Sequence, residues 1–397
     1  MLLTQLTDSP YCSPHGDSPH FGSPHGSPHG ASDDRRPLPS PDEAPIFVIG
    51  TGRSGTTLLR QMLTAHPRIH LTHEASVYSY ARHAPPGATA DKWLAHYFQT
   101  FSFAWLRLAP QAVRAALPAD LERLPVAQVT RQAALAVLGG KARQQGKPRF
   151  GDKNPLDTHN LQRIFADFPD ARVVYITRDP RPTVMSFNRM PFGTSSALLN
   201  SWLCRVQFDH IQPYLDRILE VRLEDLVAQP RPVLQQILRF IGEPWDEAVL
   251  DHLRCATTDD VPPMPWFVGA TREQPSREHS GGGWREQLEP AWIRLIERIN
   301  RSSMERYGYL PARLPREPGP LALAAALARD VPGLVTGTYR LLSFKRKLDR
   351  HFQDKERLDA QRGMEENLRL NPAAWRYYPD FSMPPVPELS VAQHEPA

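Results

Sequence analysis

Hydrophobic residues in the first two thirds of the chain form two kinds of segment. Short runs rich in β-branched and aromatic residues, at 45–49 (PIFVI) and 172–177 (RVVYIT), are typical of strands buried on both faces. Residues 68–72 and 220–223 are predicted to be further short strands. Residues 56–66 (TTLLRQMLTAH) carry apolar side chains at intervals of three and four, which predicts an amphipathic helix. This alternation predicts an α/β fold with a central, mostly parallel β-sheet flanked by helices.

The remaining chain divides into three parts by its pattern. The tail at 1–44 repeats Ser-Pro-His four times and has little apolar surface to bury, so it is predicted to be disordered. An α/β domain is predicted at 45–312, and a helical extension with a Pro-rich end at 313–397. Further helices are predicted over most of 89–147, from Asn154, from Asp179, over 232–241 and over 284–307, with a long loop at 259–283.

Composition excludes several classes of protein. Lysine plus arginine number 47 and aspartate plus glutamate 43, so the net charge of +4 gives no reason to expect a nucleic-acid partner. Three scattered cysteines exclude a disulfide framework and a cysteine-based zinc motif, and the histidine spacings match no metal motif. No apolar run approaches the ~20 residues that span a bilayer, and the first residues do not resemble a secretory signal. We therefore expect a cytoplasmic protein with no transmembrane segment and no required metal.

A glycine-rich turn between the first strand and the first helix is the strongest candidate for chemistry. Residues 50–57 read GTGRSGTT, and glycines at such a turn let backbone N–H groups point inward towards an anion at the helix N-terminus. The outer glycines match the nucleotide-binding loop G-x-x-x-x-G-K-[ST], but Thr56 stands where that loop has its lysine. Arg53 instead places a cation inside the loop. This pattern argues against a magnesium-bound triphosphate.

A second candidate motif follows the strand at 172–177. Arg178 comes directly after that strand, and Ser186 lies about two turns into the next helix. Ligands of parallel α/β sheets bind at the carboxyl ends of strands, and an arginine with a hydroxyl suits a second phosphate group. Pairing of Arg178 with Asp179 or a neighbouring carboxylate is the alternative at this position.

Together these residues resemble the sulfotransferase family. Arg53-Ser-Gly-Thr-Thr57, followed by Arg178-Asp-Pro-Arg181 and Ser186, is similar to the two motifs with which that family binds 3′-phosphoadenosine-5′-phosphosulfate (PAPS). These motifs most resemble those of the tyrosylprotein sulfotransferases and their bacterial relatives. Counterparts of Ala65-His-Pro67, Glu74 and Lys153-Asn-Pro155 are also found there. The resemblance implies a P-loop-like three-layer fold for 45–312.

The resemblance also implies roles for individual residues. The loop residues Arg53, Ser54, Gly55, Thr56 and Thr57 would hold the 5′-phosphosulfate of PAPS, and Arg178 and Ser186 its 3′-phosphate. Glu74 would be the general base, and Lys153 would stabilise the leaving phosphate together with Arg53. Glu74 follows a predicted strand of the same unit, so we expect it at the same sheet edge as the loop. His73 is the competing base.

The sequence departs from the family in three places. Leu223 stands where a tyrosine is common, so one cofactor contact of the family has no counterpart there. Ser276, Arg277 and Ser280 precede Trp284 and are candidates for the 3′-phosphate and adenine contacts. The membrane anchor of the Golgi enzymes has no counterpart near the N-terminus.

The function predicted from these observations is sulfuryl transfer from PAPS to a hydroxyl or phenol by in-line displacement. A kinase-like, nucleotide-dependent phosphotransferase and a non-catalytic nucleotide-binding protein are the alternatives. The acceptor stays open at this point among peptide tyrosine, sugar, lipid and small phenol.

Overall fold

One parallel sheet organises the molecule. The computed structural model describes residues 44–190, 193–267 and 283–354, which lie in a single compact unit. Its five strands run parallel in the order β2-β3-β1-β4-β5. They are β1 (Ile46–Gly50), β2 (Ile69–His73), β3 (Arg149–Lys153), β4 (Arg172–Thr177) and β5 (Ile218–Arg222). The predicted α/β class with a parallel central sheet is confirmed.

Helices connect the strands and cover both faces of the sheet. The α-helices are α1 (Thr56–Ala65), α2 (Val77–Arg82), α3 (Ala90–Tyr97), α4 (Phe101–Leu106), α5 (Pro110–Ala115), α6 (Val126–Ala134), α7 (Gly140–Gln144), α8 (Leu161–Asp167), α9 (Pro180–Asn188), α10 (Ala197–Ile211), α11 (Leu223–Ala228), α12 (Pro230–Ile241), α13 (His252–Cys255), α14 (Trp284–Gln287), α15 (Pro290–Ile299), α16 (Arg301–Arg306) and α17 (Pro320–Asp354). A π-helical segment, Leu135–Gly139, joins α6 to α7. Short 3-10 helices lie at Pro155–His159, Gln212–Tyr214, Glu247–Leu250 and Pro265–Phe267.

Alternate residues of the central strands build the two apolar layers. Phe47 and Ile49 of β1 pack in one buried cluster, and Ile46 and Val48 of the same strand pack in the other. Because successive strand residues point to opposite faces, a strand buried on both sides needs an uninterrupted apolar run. The sequence of β1 supplies that run, which is why this strand was predictable.

Strand β3 was not predicted, because its sequence RFGDK is mostly charged. All five residues are nevertheless buried. Arg149 donates to the Glu243 carboxylate at 2.8 Å, and Asp152 accepts from the Thr72 hydroxyl at 2.6 Å. Buried charges are tolerated when they are paired and hydrogen-bonded, so the partners that permit this strand lie elsewhere in the chain.

Helix α17 lies in the predicted helical extension and continues through Pro332. Its Asp330 accepts hydrogen bonds from the Ser196 hydroxyl at 2.5 Å and the Ala197 N–H at 2.8 Å, which caps the N-terminus of α10. A side chain at Gly333 would collide with the loop before α10. The extension is therefore packed against the α/β domain. The predicted disordered tail and the Pro-rich end lie outside the described residues.

Candidate functional site

The glycine-rich turn, residues 50–55, leads from β1 into α1. Gly55 has a φ of 93°, a left-handed conformation that suits glycine, and a side chain there would also meet Leu223. Arg53 takes the left-handed conformation as well, with a φ of 68°. No side chain caps the N-terminus of α1. The first N–H groups of this helix therefore have no capping side chain as acceptor, and a helix N-terminus of this kind favours an anion.

The second motif lies against this turn. Arg178 donates from Nη1 to the Arg53 carbonyl oxygen at 3.2 Å, and Arg53 donates from Nε to the Ser186 hydroxyl at 3.1 Å. Ser54 fixes the turn to the neighbouring strand by donating to the Ile176 carbonyl at 2.8 Å. The structure therefore brings both candidate anion-binding motifs together at one edge of the sheet.

The two arginines of the second motif have different surroundings. Burial lowers the pKa of Arg178 to about 10, although the nearby Glu224 opposes this, and the guanidinium stays charged at neutral pH. Arg181 instead forms ion pairs with Asp179 at 2.6 Å and Glu297 at 2.7 Å. Asp179 thus pairs with Arg181, which fixes α9 to α15, and Glu224 is the neighbouring carboxylate whose charge acts most on Arg178.

Glu74, Lys153 and His73 meet where β2 and β3 end side by side. Lys153 Nζ donates to Glu74 Oε1 at 2.5 Å and lies 3.0 Å from His73 Nε2. The Lys153 side chain is fully buried, whereas 38% of the Glu74 side chain is exposed. The partly exposed carboxylate of Glu74 thus forms an ion pair with the buried ammonium group of Lys153.

The electrostatics of this cluster separate the two candidate bases. Burial lowers the pKa of Lys153, and the charge of Glu74 raises it. Burial and the charge of Lys153 keep the pKa of His73 well below 6.5, so the imidazole is neutral. Because Nε2 faces an ammonium, it accepts a hydrogen bond there, and its lone pair is engaged. Glu74 has the more accessible basic atoms of the two.

A buried carboxylate supports the turn that carries Glu74. Glu74 and Ser76 both adopt left-handed φ values, 57° and 59°, which are uncommon for residues other than glycine. Asp152 accepts from the N–H groups of Ala75 at 3.1 Å and Ser76 at 3.3 Å, as well as from the Thr72 hydroxyl. Burial raises the pKa of Asp152 to about 6, against the lowering effect of these hydrogen bonds. The carboxylate holds an otherwise unfavourable turn in place.

The segment after α13 adds residues that were not predicted. Asp260 forms a fully buried ion pair with Arg60 at 2.5 Å and accepts from the His73 N–H at 3.1 Å. This contact anchors the segment whose Phe267 ring stands edge-on to the His73 ring, with centroids 4.6 Å apart. From the sequence, Asp260 and Phe267 were predicted only to lie in a long loop. No local pattern links Asp260 to Arg60, because the two positions are 200 residues apart.

The residues that depart from the family pattern have structural partners. Leu223 packs against Gly55 of the glycine-rich turn. Glu224 accepts from the Asp179 N–H at 3.0 Å and from the Tyr309 hydroxyl at 2.8 Å, so this element supports the start of α9. Ser276, Arg277 and Ser280 lie outside the described residues.

A cavity, possible metal ligands and possible membrane-spanning helices were the remaining features of interest in the described ranges. A cavity of about 420 Å³ at the outer edge of β5 is separated from β3 by β1 and β4, so it is not part of this site. Over the same ranges, no group of three or more histidine, cysteine, aspartate or glutamate side chains is arranged to hold a metal ion. No helix of the described part of the chain is long and apolar enough to cross a membrane.

Comparison with known proteins adds the family. The model described as "Sulfotransferase family" matches residues 45–247, just over half of the chain, including both anion-binding motifs, Glu74 and Lys153. The chain belongs to the sulfotransferase family. The resemblance predicted from the motifs is therefore confirmed, and the parallel sheet is the P-loop-like architecture expected for this sulfotransferase.

Individual relatives are more distant. The chain is 28% identical over 220 residues to a protein-tyrosine sulfotransferase of Drosophila melanogaster, covering 52% of this chain and 40% of the relative. It is 29% identical over 219 residues to protein-tyrosine sulfotransferase 1 of Danio rerio, covering 52% and 55%. The chain thus spans about half the length of the curated relatives it matches. The sulfotransferase domain of the Synechococcus PCC 7002 olefin synthase is 24% identical with a TM-score of 0.48, covering 70% of this chain and 98% of that chain.

Proposed function

We propose that this sulfotransferase transfers the sulfuryl group of PAPS to a hydroxyl or phenol acceptor, with Glu74 as general base. One observation carries the proposal. A half-exposed carboxylate held by the buried Lys153 shares a sheet edge with the glycine-rich turn, against which Arg178 lies. Similarity to protein-tyrosine sulfotransferases supports the same reaction class.

The donor would bind along the seam between the two motifs. N–H groups of the glycine-rich turn and the hydroxyls of Thr56 and Thr57 suit the 5′-phosphosulfate, and the helix N-terminus favours its negative charge. Arg178 and Ser186 suit the 3′-phosphate, and the family resemblance adds Ser276 and Arg277. Arginine is well matched to such a group because its planar fork presents two N–H donors to a phosphate.

The chemical step uses the Glu74–Lys153 pair. Glu74 accepts the proton of the acceptor hydroxyl while the acceptor oxygen forms a bond to sulfur. The bond between sulfur and the bridging oxygen breaks, and its electron pair stays on the leaving phosphate. Arg53, Lys153 and the N–H groups of α1 stabilise the charge that collects there. Because protonation neutralises Glu74, its attraction for Lys153 falls, which frees the ammonium to turn towards the leaving oxygen.

Calorimetry tests the donor assignment. Adenosine 3′,5′-bisphosphate should bind in the presence of EDTA, and ATP should not bind detectably with or without magnesium. A kinase-like phosphotransferase would give the reverse pattern. Incorporation of labelled sulfate from PAPS into an acceptor then distinguishes a transferase from a non-catalytic nucleotide-binding protein.

A further inference from the structure

A buried ion pair borders the outer side of β2 just before Glu74. It is formed by Arg60, from the second turn of α1, and Asp260, from the segment after α13, and neither side chain is exposed. Within the described sheet, β2 has a strand neighbour on one side only, which is β3. The ion pair lies on the other side and bonds there to the main chain of β2.

Each member of the pair supplies a hydrogen bond that a neighbouring strand would otherwise make. Arg60 Nε donates to the Leu71 carbonyl oxygen at 2.7 Å, and the His73 N–H donates to Asp260 Oδ2 at 3.1 Å. Leu71 and His73 are both buried, and a buried main-chain group without a partner is unfavourable. The ion pair therefore completes the hydrogen bonding at the end of an edge strand.

Glu74 follows directly from this end of β2. Its own N–H donates to the Lys153 carbonyl oxygen of β3 at 2.9 Å, on the side of the strand opposite to the bond of His73. Its side chain accepts from Lys153 Nζ at 2.5 Å. The direction in which the Glu74 carboxylate leaves β2 is therefore set by bonds on both sides of the strand.

The ionised form of Asp260 serves both of its bonds. Burial alone would raise the pKa of Asp260, but the charge of Arg60 holds it below its ordinary value. The two carboxylate oxygens take different donors, Oδ1 the Arg60 guanidinium and Oδ2 the His73 N–H. A fully buried ion pair is often no more stabilising than well-packed apolar side chains, because both charges lose their hydration. Stability alone therefore does not account for a charged pair at this place.

The same pair connects the candidate base to the helix proposed to hold the donor. Arg60 lies one turn after Thr56, where α1 begins. The N-terminus of α1 is the proposed site of the 5′-phosphosulfate, and β2 ends at Glu74. A shift of α1 relative to β2 would change the distance between the leaving group and the base, and a misplacement of about 1 Å can cost about 10²-fold in rate.

We infer that Asp260, acting with Arg60, is a positioning residue for Glu74. The inference rests on the proposed function, in which Glu74 is the general base. Because the Asp260 oxygens are taken up by Arg60 and the His73 N–H, its contribution reaches the reaction through the main chain of β2 and not through a contact with substrate.

Asp260→Asn tests this role in two backgrounds. The amide has the shape of the carboxylate but only one oxygen, which the charge of Arg60 attracts, so its NH2 faces the His73 N–H. With N-acetyl-tyrosine amide as acceptor, single-turnover transfer from labelled PAPS should slow about tenfold in the parent protein. The Kd for adenosine 3′,5′-bisphosphate should stay within about twofold. In Glu74→Gln, which has no base to position, the same substitution should change the residual rate by less than about twofold.

Asp259→Asn is the matched control, because Asp259 anchors the same segment through other bonds. Its Oδ2 accepts from Lys141 at 2.8 Å and from Gln145 at 3.0 Å, both outside β2. The transfer rate of this variant should stay within about twofold of the parent rate. A loss equal to that of Asp260→Asn would mean that anchoring of the segment matters and not the bond to His73, which overturns the inference.

A second variant keeps the test decisive if Asp260→Asn does not fold. Arg60→Gln combined with Asp260→Asn removes both buried charges together, and its folding is checked by urea titration. It should give the same loss in the parent protein and no further loss in Glu74→Gln.

The outcomes separate the inference from the proposed function. An equal loss in both backgrounds, or no loss in the parent protein, overturns the positioning role and leaves Glu74 as the base. A fully active Glu74→Gln, or a parent protein that transfers no sulfate, overturns the proposed function and the positioning role with it.

Discussion

Arg178 donates a hydrogen bond from its Nη1 atom to the main-chain oxygen of Arg53 at 3.2 Å, across 125 residues of sequence. The contact joins the glycine-rich turn to the start of α9. It also holds Arg53 in its left-handed conformation, with its Nε on Ser186. The two candidate anion-binding motifs are thus in direct contact with each other.

Replacing Arg178 by lysine should therefore weaken donor binding although the charge is kept. Lysine presents a single ammonium group and cannot hold the Arg53 carbonyl and a phosphate with one planar fork. We expect the Kd for adenosine 3′,5′-bisphosphate to rise about tenfold or more by calorimetry. Arg172→Lys, at the opposite end of β4 from Arg178, is the control. An unchanged Kd for Arg178→Lys would exclude this role.

Glu74→Gln should lower kcat at least ~10²-fold, because glutamine cannot accept the acceptor proton. The Kd for adenosine 3′,5′-bisphosphate should stay within about twofold, since Glu74 contacts the acceptor side. Single-turnover transfer from labelled PAPS provides the rate. A fully active variant would remove Glu74 from the mechanism.

Asp152→Asn should misplace Glu74 without touching either substrate. Ala75 and Ser76 now donate to different oxygens of the carboxylate, so the NH2 of an asparagine would face one of these two N–H groups, which would lose its acceptor. We expect kcat to fall about tenfold with an unchanged KM for PAPS. Thr72→Val, which removes one hydrogen bond and keeps the carboxylate, should have a smaller effect. Equal losses in the two variants would argue for a merely structural role.

Stability should fall as the pH drops below 6.5. His73 has a pKa well below 6.5 in the folded chain, so the unfolded chain binds a proton that the folded chain does not. As the pH falls below about 6.5, this histidine adds a slope that rises towards a limit of about 1.4 kcal/mol per pH unit. His73→Asn should reduce the slope of the unfolding free energy by that amount in urea titrations. Asp152, whose pKa is raised, contributes in the opposite sense, so the difference between variant and parent is the quantity to compare.

Asp330→Ala should destabilise the fold by about 2–3 kcal/mol, because it leaves the first N–H groups of α10 buried without their acceptor. The adjacent Arg329→Ala is a matched control, since the Arg329–Glu289 pair is more than half exposed and should contribute at most about 1 kcal/mol. Chemical denaturation of the full chain measures both. Equal effects would contradict the capping role.

The sequence made some parts of this molecule predictable for clear physical reasons. The runs that became β1 and β4 had no polar interruption, and the helix after the glycine-rich turn had a regular apolar spacing. The placement of Arg53 and Glu74 at one edge followed from the predicted strand, turn, helix and strand, whereas Lys153 was identified only from the family motifs. Local patterns were sufficient wherever a segment is stabilised mainly by burying its own apolar face.

Other parts depended on partners distant in sequence. Strand β3 is charged and becomes buried only because acceptors and donors reach it from other elements. Asp260 had no recognisable motif, yet it fixes Arg60 and the backbone of His73. The small buried cluster of Met190, Met264 and Trp266 likewise combines two separate stretches of chain. A periodicity within one segment carries no information about such pairings.

The Asp330 cap also has a consequence for how the protein is made. A ribosome completes α10 long before it reaches residue 330. The N–H groups of Ala197 and Leu198 at the start of this helix therefore emerge without the Asp330 carboxylate as their acceptor. Those amides gain their native acceptor only when the later carboxylate has been synthesised and α17 can dock. The middle of the polypeptide therefore finishes folding only once nearly all of the described chain exists.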